Sequence, residues 1–340
     1  MESSTQDRRQ FWIGMGISAV SIILILLLVN PAEIAASLRQ ANLSFIALSS
    51  LGILIFMIVR AIRWHFMLGN EVSGRQVFHI QNIGYMFNMV LPFRLGDVAR
   101  AILIGNVPPM TLARGFSTMV VERILDMMFI VALLPFTLAE VVSLPAWIQD
   151  GARASGFIAL VAIGVLIIAA NQRALATRWG TAVFNRIPFL NTEQWIGRMN
   201  DLLDGLNSLT RLKDGLILIF LSILVWIPIL FAYQAGIRAV GGQVSLLAAS
   251  FVVCAAALSI ALPSSPGQIG VFHLGVTAAL LALGQPESVA AGFALVYHAL
   301  NLIGMILLGL IGLTRVGTTF RSVIATTQNF MQRKKETIND

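Results

Sequence analysis

The sequence predicts an all-α, polytopic membrane fold of about eight transmembrane helices plus one re-entrant hairpin. Three observations carry this. Of the 340 residues, 57% are hydrophobic and only 11% charged, against about 25% charged in an ordinary soluble domain. The apolar residues gather into runs of hydrocarbon-core length. The basic residues alternate between the connecting segments: on an eight-span path starting in the cytoplasm, only Arg39, Arg153 and Arg238 of the 23 Lys and Arg fall on the outer side. That bias orients both termini toward the cytoplasm.

Phe11 to Val29 is uncharged throughout and forms the first span. It exceeds the roughly 7–15 residues of a signal-peptide core and lacks a small-residue cleavage site, so it is expected to be retained. Leu43 to Val59 is the second span, closed by Arg60 and Arg63, which share a helix face beside Trp64 at the interface. Val77 to Val90 is short and polar, with Gln81, Asn82, Tyr85 and Asn88 on one helical stripe. A re-entrant hairpin with its tip near Leu91 and Pro92 fits it better than a full crossing. Pro108 and Pro109 then break the chain, and Thr111 caps the next helix.

Gly115 to Ala139 is the third full span, with Glu122, Arg123 and Asp126 in its first half, and Ala154 to Ala170 is the fourth. The long polar connection 171–214 is read as cytoplasmic. Within it Trp195, Met199, Leu202, Leu206 and Leu209 recur at helical spacing, as in a helix lying on the membrane surface. Spans five to eight are Gly215–Ala235 (bent at Pro228), Val244–Leu262, a short Ile269–Gly284, and Val289–Leu313, which carries Tyr297, His298 and Asn301. Residues 1–313 are thus one membrane domain, and 314–340 a basic cytoplasmic tail.

Charges and broken backbone inside hydrocarbon persist only where protein or a wet cavity surrounds them, so they mark the candidate site. Arg94, Asp97 and Arg100 recur every third residue, and the two guanidiniums suit a phosphate, which accepts bidentate hydrogen bonds. Surface charge obeying the topology bias is the other reading of that edge, and the more natural one for Arg60 and Arg63. Glu122 and Asp126 share a helix face with only Arg123 between them, leaving one acid short of a partner unless Arg94 or Arg100 reaches it. Such a group would hold a proton during transport, or the cluster is a static ion network pinning the hairpin to the third span. A second break runs from Leu262 to His273. Ser265, Pro266 and Gln268 form a helix start, and Gly267 and Gly270 leave its amides bare for an anion. A tight connection between spans is the plainer reading. Both breaks follow a Leu-Pro pair and precede glycines, a pairing typical of transporter sites.

The net charge of +7 sits in loops beside apolar spans, which points to anionic lipid rather than nucleic acid. Cys254 is the single cysteine, so no disulfide framework or thiolate cage exists. The four histidines lack ligand spacing, and no nucleotide-binding or hydrolase motif occurs, so neither metal, cofactor nor catalytic residue is assigned.

Arg60-x-x-Arg63-Trp64, Asn82, Pro92-x-Arg94-x-Gly96-Asp97-x-x-Arg100, Glu122-Arg123-x-x-Asp126 and Pro266-Gly267-x-x-Gly270-x-Phe272 together resemble the lysylphosphatidylglycerol synthase transmembrane family, over roughly Phe11 to Leu313. Its best-known member joins such a region, a flippase for aminoacylated phosphatidylglycerol, to a cytosolic synthase domain; other members handle polyprenyl-phosphate or glycolipids. The resemblance implies a flippase-like protein of a bacterial inner membrane. No segment after Leu313 has synthase length, so aminoacyl transfer is not expected. Relatives place a Glu where this chain has His273, a residue able to switch near neutral pH.

The expected function is transbilayer movement of an anionic lipid, of phospholipid or polyprenyl-phosphate type. Arg94, Arg100 and Arg123, with Asn82, Asn88, Ser265, Gly267, Gly270 and His273, would bind substrate. Asp97, Glu122 and Asp126 would hold the arginines or couple to protons, while Arg60, Arg63 and Trp64 contact headgroups at the interface. The rivals are an intramembrane transferase using Asp97, Glu122 or Asp126 as base, and a partner subunit without substrate. Among protein partners a homo-oligomer and a lipid-biosynthesis protein both stay open.

Overall fold

The computed structural model describes residues 39–91, 94–141, 212–261 and 266–339, with isolated positions between 150 and 196. The expected first span lies outside the described residues, as does most of the expected fourth span, of which Ala154, Phe157, Ile158 and Val161 are described, and of the surface helix around Trp195–Leu209, of which only Ile196 is described. Ser265 and the hairpin-tip residues Pro92 and Phe93 also lie outside them. All regular structure among the described residues is helical.

Helix α1 (Leu43–Met67) starts where Asn42 accepts hydrogen bonds from the amides of Ser44 and Phe45, satisfying two otherwise orphaned donors. It runs eight residues past the expected end at Val59. Arg60 and Arg63 find carboxylates inside the protein, so the helix need not stop where charge begins. Ser73 then caps α2 (Gly74–Val90), which is buried on nearly every side from Ile80 to Met89.

The chain turns back through Leu91–Arg94 into α3 (Leu95–Gly105). The two helices run antiparallel as a hairpin, with Gly84 beside Arg100 and Asn88 beside Asp97. Their axes approach closely because Gly96 has no side chain. A Cβ there would collide with the Gly84 carbonyl and lie 2.6 Å from the Asn88 amide. Thr111 caps α4 (Leu112–Thr137), which ends in a 3₁₀ turn at Leu138–Glu140.

Helix α5 (Leu212–Ala239) contains Pro228 and lies along α1, where Gly52 leaves room for Ala232 and the Pro228 carbonyl. Ser49 donates to the Ala232 carbonyl at 2.8 Å across that seam. Helices α6 (Leu246–Ser259) and α7 (Val271–Ala282) flank a 3₁₀ turn at Pro266–Gln268. At 1.5 Å per residue they are about 21 and 18 Å long, short of the ~30 Å hydrocarbon core. The stretch expected as spans six and seven is therefore a second short hairpin, with Ser259 packed on Gly275. Helix α8 (Glu287–Val316) ends at Gly317, whose φ of 73° terminates it in the left-handed region.

The segment expected as a tail holds the last turn of α8 and then α9 (Phe320–Asn339). Val323 and Thr327 are buried, Phe320 stacks on Phe87 at 4.6 Å, and Phe330 stacks on Phe116 at 5.7 Å. Apolar residues at positions 320, 323, 324 and 330 form one stripe, which seats α9 against α3, with the two ring stacks reaching α2 and α4. The sequence view of this stretch weighed its charge and overlooked that spacing.

Among the described residues three helices are long and apolar enough to cross a membrane by length and composition, namely α1, α5 from Lys213, and α8. Helix α4 is as long but carries Arg114, Glu122, Arg123 and Asp126. The main core lies between α1, α5, α6, α7 and α8. A second cluster joins the ends of α1 and α2 to α3 and α4.

Gly96→Ala should destabilise the protein by about 1–3 kcal/mol, since the added methyl meets backbone that cannot yield. Gly304→Ala, where a Cβ meets nothing within 4 Å, should leave stability unchanged or raised. Melting of the detergent-solubilised protein, followed by size-exclusion chromatography after heating, separates the two. Equal behaviour would contradict the close α2–α3 packing.

Candidate functional site

The site grows from a charge lattice between α1, α3 and α4. Arg60 and Arg63 sit one turn apart on α1 and face Glu122 and Asp126, one turn apart on α4. Arg60 donates from Nε to Glu122 Oε1 at 2.9 Å and from Nη2 to Asp126 Oδ2 at 2.6 Å. Arg63 donates from Nη2 to Asp126 Oδ1 at 2.9 Å. From α3, Arg100 donates to the second oxygen of Glu122 at 2.7 Å and lies 4.5 Å from the centre of the Trp64 ring. Trp64 is fixed in turn by donation from its indole N–H to Thr118 at 3.0 Å.

Each ion so deeply placed costs several kcal/mol to strip of water, and only multiple short hydrogen bonds repay that. Glu122, with its side chain 1% exposed, takes two guanidiniums on its two oxygens. A smaller pair continues the lattice. Arg123 holds Asp97 at 2.9 and 3.1 Å, and Asn88 donates to the same carboxylate at 3.0 Å while accepting from the Asp97 amide at 3.2 Å. The hairpin is thereby pinned to the third expected span.

Beside this lattice lies a cavity of about 160 Å³, far more than the ~10–15 Å³ that one water needs. One wall is cationic, made by Arg60, Arg94 and Arg123. Gln268 and Asn301 add neutral amides, and Phe56, Tyr85, Trp226, Tyr233, Phe272 and Tyr297 give aromatic faces. Arg94 enters from the hairpin tip with a left-handed backbone, φ 53° and ψ 37°. Gln268 enters from the second break with φ 60°. Non-glycine residues seldom adopt that conformation, and such strain concentrates at binding sites and switches. The two breaks meet directly, since a Cβ on Gly267 would lie 3.3 Å from the Met89 carbonyl. Regions far apart in sequence thus share one hollow.

Several sequence expectations need correction here. Arg63 and Trp64 are fully buried and cannot meet headgroups at an interface. Arg60 leaves the interface too, to line the cavity. Arg100 is held by Glu122 and supports the site without lining the hollow. Asn82 is buried and donates to the Phe78 carbonyl at 2.8 Å, so it does not line the cavity. Neither Gly270 nor His273 lines it; His273 Nδ1 accepts from the Gly270 amide at 3.4 Å, and the His273 ring packs 4.7 Å from that of His298. The acid that needed a further partner has one in Arg100, one of the two candidates, which reaches Glu122, while Arg60 and Arg63 add pairs that local spacing did not indicate. Arg94, Arg123 and Asn88 do line the cavity, and Gly267 forms the turn beside it.

Sequence reasoning missed Gln268, Asn301, Trp226 and the Tyr233–Tyr297 pair as cavity residues. Asn301 and Tyr297 did carry a signal, polar groups one turn apart in an apolar span. Gln268 was hidden behind its role in a helix start, and Trp226 had no distinguishing context.

A family model for the lysylphosphatidylglycerol synthase TM region matches residues 11–309. The chain belongs to that family. The chain is also similar to two UPF0104 membrane proteins of Methanothermobacter thermautotrophicus. One is 25% identical over 270 residues, covering 75% of this chain and 80% of that protein. The other is 24% identical over 300 residues, covering 82% and 86%. Glycosyltransferase AglD of Haloferax volcanii is 23% identical over 327 residues, covering 85% of this chain but 51% of that longer protein. No solved structure matches. Family membership and the long apolar helices make this a multi-pass membrane protein.

Glu122→Ala should destabilise the protein by about 3–5 kcal/mol, because Arg100 would stay buried without its acid while Arg60 would keep only Asp126. Adding Arg100→Met should recover part of the loss. Arg94→Ala, which removes no ion pair, should melt like the parent protein. Melting temperatures in one detergent check all three.

Proposed function

We propose that the protein moves an anionic lipid between membrane leaflets, with the headgroup phosphate in the cavity and the acyl or prenyl chains in the surrounding bilayer. The observation that carries this reading is Arg94. It lines the cavity, makes no ion pair with any described carboxylate, and has a buried Nε without a partner. An arriving phosphate supplies the acceptor that this guanidinium lacks at Nε.

Arg60 and Arg123 complete the cationic wall, and their carboxylate partners hold them before substrate enters. Preorganised charge lowers the cost of taking a phosphate out of water. The polar hollow gives the headgroup a path through hydrocarbon that it would otherwise not cross. Release toward one face or the other requires the two touching breaks, at Met89 and Gly267, to part. The distribution of basic residues supports a cell-membrane location with both termini in the cytoplasm.

The likeness to a protein named glycosyltransferase supports a second reading, a transferase acting on a lipid-linked sugar. A general base must be free to take a proton. Asp97, Glu122 and Asp126 each accept two or more charged or amide hydrogen bonds, which favours transport.

Reconstituted protein should accelerate leaflet exchange of a labelled phosphatidylglycerol or polyprenyl phosphate. Arg94→Ala should slow it by about tenfold or more, one lost charge-assisted contact being worth roughly 1.5–3 kcal/mol. Mass spectrometry should recover the lipid unaltered. Failure to move any such lipid would count against transport, and a chemically changed product would favour the transferase.

A further inference from the structure

Tyr85 stands on α2 among the arginines. Its ring centre lies 5.4 Å from Arg60 Cζ and 5.9 Å from Arg100 Cζ. The phenol is also within electrostatic reach of Arg94 and Arg123. Three of these four, Arg60, Arg94 and Arg123, line the hollow, and Tyr85 lines it with them. The helix that carries Tyr85 is fixed on both sides. One turn earlier Gln81 donates to the Met57 carbonyl of α1 at 3.1 Å, and nearly one turn later Asn88 donates to Asp97 of α3 at 3.0 Å.

The hydroxyl is the anomaly. Tyr85 is buried, and its oxygen makes no hydrogen bond among the described residues. A guanidinium carries only donors, so the surrounding arginines can give to the phenol oxygen but cannot take its proton. The nearby carboxylates are engaged elsewhere: Glu122 by Arg60 and Arg100, Asp126 by Arg60 and Arg63, and Asp97 by Arg123 and Asn88. A phenylalanine would keep the packing and the ring face beside the cations without leaving a buried donor unpaired. What the hydroxyl lacks is an acceptor, and what converging guanidiniums gather is an anion.

We infer that Tyr85 is a ligand-binding residue whose hydroxyl donates a hydrogen bond to an anionic phosphate oxygen held by Arg60 and Arg94. The inference rests on the lipid-binding reading above and deepens it, since it adds a neutral donor beside the cationic wall. The two kinds of group act differently. Guanidinium charge attracts the phosphate over a distance, whereas an O–H acts only at hydrogen-bond length and along one direction, so it fixes where the phosphate stops.

Titration calorimetry on the full protein in detergent tests this with three probes: dioctanoyl phosphatidylglycerol, dioctanoylglycerol, which has the same chains and no phosphate, and inorganic phosphate. Tyr85→Phe should weaken phosphatidylglycerol about tenfold, the order expected for a hydrogen bond to a charged acceptor. It should leave dioctanoylglycerol unchanged and melt at the parent temperature or above. Arg94→Ala should weaken phosphatidylglycerol as well. Loss in Arg94→Ala but none in Tyr85→Phe overturns the inference and leaves the lipid reading standing. A lower melting temperature for Tyr85→Phe also overturns it, because the hydroxyl then serves the protein itself, and so does equal loss of both lipids, because the effect then bypasses the phosphate. Inorganic phosphate that binds and is weakened by Tyr85→Phe, with phosphatidylglycerol not bound, overturns the lipid reading and keeps the role of the hydroxyl. Binding of none of the three overturns both.

Discussion

Glu122 is the residue on which the remainder depends. Its two oxygens accept from Arg60 on α1 and Arg100 on α3, so one carboxylate ties three helices at a depth where unpaired charge is not tolerated. The tie explains why α1 continues as helix through two arginines and why Trp64 lies in the interior. It also explains how the polar α2–α3 hairpin can sit at the centre of an apolar bundle. Hydrocarbon offers no competing hydrogen bonds, so the pairs, once made, have no alternative partner.

The cavity is a consequence of that lattice. Because Arg60 and Arg123 are anchored by acids behind them, their remaining surfaces face inward with little freedom to collapse onto one another. Arg94 adds charge without an anchor, held by its backbone at the hairpin tip. The second hairpin closes the hollow from the other half of the chain, with Gly267 against Met89 and Gln268 turned into the same space. Two interrupted segments touching at their tips are the arrangement that lets a polar path open and close within a membrane protein without exposing broken backbone to lipid.

Helix α9 connects this centre to the end of the chain. Its ring stack with Phe87 lies next in sequence to Asn88, which orients Asp97 and through it Arg123. The interaction is apolar and local, whereas the charge lattice is polar and spans the bundle.

Apolar run length settled the helical membrane class from sequence alone, since backbone in hydrocarbon has few ways to satisfy itself. The residues that matter were also largely visible, because arginines and acids within apolar stretches stand out from their surroundings. Their partners were not. Arg60 and Arg63 lie about sixty residues from Glu122 and Asp126, and nothing in local spacing says that α1 crosses α4 there. Nor does spacing reveal that Gln268 and Asn301 turn into the hollow that Arg94 enters. Periodicity reports which face of a helix is polar; only the packing of one helix on another decides what that face meets.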